Sequence, residues 1–83
     1  MIHLIWDLDD EPDGNVRHIP IDEHLTKDDV AHAVNNAIDD QPSRRLNRRK
    51  LLGPAEDGRL LTVVYEPAGS DTIYPVTAYY VEH

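Results

Sequence analysis

The apolar positions of this chain change period several times, and each change marks an element. Ile2 to Trp6 is a short, nearly continuous apolar run that predicts a first strand. Val30, Ala33, Val34, Ala37 and Ile38 then recur at three- and four-residue steps, while Asp28, His32, Asn35 and Asp39 fall elsewhere, so a helix packs one face on a sheet. Arg48 to Gly53 enters a strand. Leu60 to Tyr65 is too continuously apolar for an exposed edge and predicts a central strand covered on at least one face. Thr72 to Val81, rich in β-branched and aromatic residues, predicts the last one.

The residues between these runs are turn and capping residues. Asp13 or Asn15 is placed to cap a helix over residues 15–23, which Pro20 shortens or kinks because it lacks an N–H and crowds the preceding turn. Thr26-Lys27-Asp28-Asp29 has the spacing of a capping box, with Thr26 at the cap and Asp29 at N3. The helix frays at Asp39-Asp40-Gln41-Pro42. Gly53 to Gly58 is a turn, and the Pro-Ala-Gly-Ser segment joins two antiparallel strands. Pro75 cannot donate to a ladder, so the last strand lies at an edge there or is bulged. The predicted order is β-α-α-β-β-β: a single α+β domain over residues 1–83, with two helices on one face of a four-stranded, mostly antiparallel sheet. Its expected core draws on Leu4, Trp6, Val30, Val34, Leu61, Val63, Ile73 and Val76.

Composition narrows what such a domain does. Eighty-three residues enclose a modest core, which directs function to a surface. There is no cysteine for a disulfide or thiolate site, no apolar run near the roughly 20 residues of a membrane span, and no signal-like start, so a cytoplasmic protein is expected. Net charge is −8, which argues against a polyanion partner. Its distribution is uneven, however. Residues 1–40 hold eleven acids against Arg17 and Lys27, whereas Arg44, Arg45, Arg48, Arg49, Lys50 and Arg59 lie within 16 positions. That block reads either as a solvated surface and counter-charge for the acidic half, or as an anion-binding patch.

Trp6-Asp7 followed by Asn15, His18, His24, Leu25 and Asp28-Asp29-Val30 resembles the W-D, N, K-H-G and E-A opening of the BrnT-like toxins, a branch of the RelE/ParE superfamily. The second half fits the same pattern. Arg48, Gly53, Gly58-Arg59, Leu61 to Tyr65 and Ile73 to Ala78 fall in register with that family's R, G, G-R-L-V-V-V-Y and I-R-I-I-S-A-R positions. The resemblance implies the small RelE-like fold, RNA cleavage, and restraint by a ribbon-helix-helix antitoxin. The family's Ser-Ala-Arg is here Thr77-Ala78-Tyr79, and its following basic helix has no counterpart before His83. Transition-state charge would then fall to Arg48, Arg49 or Arg59, with proton transfer from a histidine or a tyrosine.

The expectation carried forward is a ribonuclease of this type, active or attenuated, with Arg48, Arg59 and Tyr79 as catalytic candidates and Arg44, Arg45, Arg49 and Lys50 as binding candidates. The alternative is a non-catalytic interaction module on the same fold. No cofactor is implied. His18, His24 and His32 are spaced by 6 and 8 residues, which places no pair as neighbouring ligands on one helical face, and the acids from Asp7 to Asp13 lack the closing glutamate of a calcium loop. Trp6 reads as a core anchor and His24 as a helix-end residue.

Overall fold

The computed structural model describes residues 1–8, 11–21, 24–44 and 47–81. Its elements are β1 (His3–Leu4), α1 (Asn15–His18), α2 (Lys27–Asn35), β2 (Asp39–Pro42), β3 (Arg49–Pro54), β4 (Leu60–Pro67) and β5 (Thr72–Tyr80). The strands form one sheet in the order β1-β5-β4-β3-β2. It is mixed: β1 runs parallel to β5, and the other three pairings are antiparallel. This is an α+β architecture with two helices, as the sequence implies, but with five strands rather than four. Among the described residues no helix is long and apolar enough to cross a membrane.

Residues 39–42 are the extra strand. The sequence reads them as the frayed end of a helix, yet α2 stops at Asn35, and Ile38 N–H donates to the Leu52 carbonyl to open the β2–β3 ladder. Ala37 and Ile38, expected on the apolar helix face, are therefore exposed. An Asp-Asp-Gln-Pro strand is tolerated at a sheet edge, where acidic side chains and a proline that cannot donate also discourage pairing with another chain.

The capping box forms as read from the sequence. Thr26 Oγ1 accepts from the Asp29 N–H at 3.0 Å, and the Asp29 carboxylate accepts from the Thr26 N–H at 3.0 Å. The other helix is a single turn whose N-cap is Gly14, with no side-chain cap. Asn15 does something else: buried, it accepts from the Asp7 N–H at 2.9 Å and donates to the Ile5 carbonyl at 2.7 Å, tying the chain after β1 to α1. His24 precedes the cap of α2 rather than ending a helix, and its carbonyl accepts from the Tyr80 hydroxyl at 2.6 Å.

Alternation along the strands divides the sheet into two faces. Leu51, Gly53, Leu61, Val63, Tyr65, Ile73 and Ala78 are buried on the face that α2 covers, packed with Val30, Ala33 and Val34 and with Ile19. Of the expected core, Leu4 and Trp6 are only partly buried against this cluster, and the Lys27 ammonium lies 5.6 Å from the centroid of the Trp6 ring. Val76 is not in it. Val64 pairs with Thr77 but Tyr65 with Pro75, so β5 carries a bulge that leaves Val76 unpaired and turns it to the other face. Both expectations meet at Pro75: β5 is bulged there, and β1, which pairs only with Thr72 and Ile73, does not extend along it that far.

Candidate functional site

The face of the sheet opposite α2 carries a groove of about 830 Å³. Register builds its floor in cross-strand rows. Gln41, Lys50, Val64 and Thr77 form one row across β2, β3, β4 and β5. Glu66 and Tyr74 form the next, extended by Arg48 immediately before β3. One wall is α1 and the turn before it, through Asp13, Asn15 and His18, and the other is the β2–β3 connection, through Ser43 and Arg44. That connection is closed by Ser43 N–H donating to the Arg48 carbonyl at 2.9 Å and turns through Asn47 at φ 65°, a left-handed conformation that asparagine tolerates.

Arg44, Arg48 and Lys50 therefore meet His18 across one concavity, on whose lining Asp13 and Glu66 are the carboxylates among the described residues. Arg48 is engaged: its Nε donates to Glu66 Oε1 at 3.1 Å, with 28% and 44% of the two side chains exposed. Beside Glu66, the Tyr74 hydroxyl donates to Asp7 Oδ2, and that bond, then burial, holds the phenol above its ordinary range. Asp7 Oδ2 also accepts from the Asn15 N–H at 3.1 Å, so the α1 wall and the groove floor are fixed to each other.

The other candidates lie elsewhere. Arg49 has the opposite parity and stands on the α2 side, where its Nε donates to Asp40 Oδ1 at 3.1 Å and the Tyr65 hydroxyl donates to Asp40 Oδ2 at 2.6 Å. Arg59 is at the far end of β4, held by Asp57 Oδ2 at 2.7 Å and stacked 4.1 Å from the centroid of the Tyr80 ring. Tyr79 pairs with Thr62, which places it on the groove face but two rows beyond Glu66, about 13 Å along the strand. Arg45 lies outside the described residues. The expected single patch of six cations is thus divided, and Arg48 and Arg59 stand about 20 Å apart at opposite ends of β4, too far to hold one phosphate.

Sequence reasoning missed Glu66, Tyr74 and the role of His18 as a groove residue. Glu66 had a signal, since its place two residues after Val64 gives both one face of a strand. His18 had none, because the position of α1 depends on Asn15 bonding to the chain after β1. Among the described residues no group of three His, Cys, Asp or Glu side chains is arranged to hold a metal ion. Compared with protein-family models, with curated proteins and with solved structures, the chain has no significant match.

Proposed function

We propose that the chain is a BrnT-like member of the RelE-type toxins in attenuated form, and that it takes a single RNA strand along the groove opposite α2. The observation that supports this is the convergence of Arg44, Arg48, Lys50 and His18 on one concave surface in a chain of net charge −8. A local field of this kind binds phosphates whatever the sign of the whole molecule, and the apolar floor at Val64 and Val76 receives the bases.

Cleavage on such a surface uses the RNA's own 2′-hydroxyl. Its oxygen attacks the adjacent phosphorus and its proton leaves to a base, the P–O5′ bond breaks and the 5′ oxygen is protonated, giving a 2′,3′-cyclic phosphate. Arg48 and Lys50 are the groups suited to the phosphorane charge, and His18 to the proton transfer. Arg59 and Tyr79, at the far end of the sheet, contribute to neither. One well-placed cationic donor is worth on the order of 3 kcal/mol, or roughly 100-fold in rate, so a site in which Arg48 is already paired with Glu66 cleaves slowly. A ribbon-helix-helix antitoxin is the protein partner that accompanies this reading.

The separation of Arg48, Arg59 and Tyr79 favours a second reading, a binding module without chemistry. Labelled single-stranded RNA distinguishes them. With about three phosphates held, affinity falls roughly 20-fold between 50 and 200 mM salt, and the Arg48→Glu/Lys50→Glu variant loses about tenfold or more at the lower salt. Slow release of cyclic-phosphate ends, diminished by His18→Ala, supports the ribonuclease; binding without any cleavage supports the module. Affinity indifferent to Arg48 and Lys50 refutes the groove as the site.

A further inference from the structure

We infer that Glu66 is a built-in competitor for the groove, a carboxylate that occupies the anion position of Arg48 until a phosphate displaces it. The inference rests on the groove being the RNA site. Arginine's planar fork suits carboxylate and phosphate alike, so the oxygen that Arg48 Nε now holds at 3.1 Å stands in for a phosphate oxygen. Glu66 is delivered there by the sheet. It lies in the ladder of β4, opposite Tyr74, and projects from the row next to Lys50 and Val64. Its backbone position is therefore fixed, whereas its side chain, 44% exposed, has room to swing away.

An ion pair this exposed is weak, so a phosphate bound also by Lys50 and Arg44 exchanges for it at small cost. An isolated phosphate, held by one contact, gains little over the carboxylate that it must expel. Glu66 thus sets a threshold that favours a chain of phosphates over a single one, and it lowers affinity for both.

The test compares wild type, Glu66→Gln, Arg48→Ala and the double variant in binding a fluorescent single-stranded RNA at low salt. Glutamine keeps the shape and removes the charge, and an unchanged melting curve verifies the fold. Glu66→Gln should tighten binding about fivefold, and the gain should shrink in the Arg48→Ala background, because the competition acts through Arg48. Binding by the Gln variant where wild type shows none supports the inference equally. Unchanged or weaker binding overturns it, the latter making Glu66 a positioning residue for Arg48, and an equal gain in both backgrounds overturns it in favour of a general charge effect. If no variant binds RNA at all, the groove reading fails and this one with it, an outcome distinct from wild type that binds without a gain from Gln.

Discussion

Tyr65 shows how far one side chain depends on a neighbour that the sequence hides. Burial first, and then its bond to Asp40, push the phenol up to about 12. A phenol raised in the folded state above its unfolded value near 10 stabilises the fold fully below that value, and the contribution disappears as pH rises from about 10 through about 12. Tyr65→Phe should cost about 1 kcal/mol at neutral pH and should flatten the alkaline loss of stability, measured by denaturant titration at pH 7, 9 and 11. The partner was not legible. Asp40 reads as the end of a helix until the ladder with β3 is known, and without that ladder Arg49 cannot be separated from the basic residues on either side of it.

At the scale of elements, α2 and β3 are fitted to one another by a glycine and one carboxylate bond. A Cβ at Gly53 would lie 2.1 Å from the Ala33 carbonyl oxygen, so only glycine lets the helix backbone approach the strand this closely. Gly53→Ala should destabilise by about 3 kcal/mol, read as a shift of the urea midpoint without loss of β-sheet signal. Asp29 then fixes the helix end, accepting from the Thr26 N–H and, at 3.0 Å, from the Glu56 N–H beyond β3. The Thr26 bond first, and that of Glu56, hold its carboxyl below the usual carboxylate range. A lowered value means stabilisation present at neutral pH and lost as pH falls through the folded-state value, so Asp29→Ala should cost about 1 kcal/mol at pH 7 and progressively less in acid. The capping box is legible because it is local chemistry four residues long. The β2 strand is not, because Asp-Asp-Gln-Pro has no strand propensity and pairs only once β3 offers an edge.

For the whole molecule, strand parity distributes charge more than composition does. The basic segment looks like one patch in sequence, yet alternate residues of β3 face opposite ways, and Arg59 is carried to the other end of the sheet. Arg59→Glu should leave RNA affinity within about twofold of wild type while Lys50→Glu weakens it several-fold, a contrast that fluorescence anisotropy at low salt resolves. The helix periodicity and the positions of β4 and β5 are legible in the sequence; which alternate residues of a strand face inward, and with that the groove, is not, because these need the sheet register, the bulge at Val76 and the placement of α1, all decided by long-range contacts.

The parallel pairing of β1 with β5 carries a consequence for how this chain acquires its shape. His3 and Leu4 pair with Thr72 and Ile73, partners about seventy residues away. Closing that loop is entropically costly, and it becomes favourable only after β3, β4 and β5 have formed their antiparallel meander from near neighbours. β1 is thus among the last elements to find its place. Until it docks, Asp7 cannot reach Tyr74, and the wall that makes the sheet concave is not anchored to the sheet. The meander thus takes shape before the groove does, and the concavity is complete only when β1 has docked on β5.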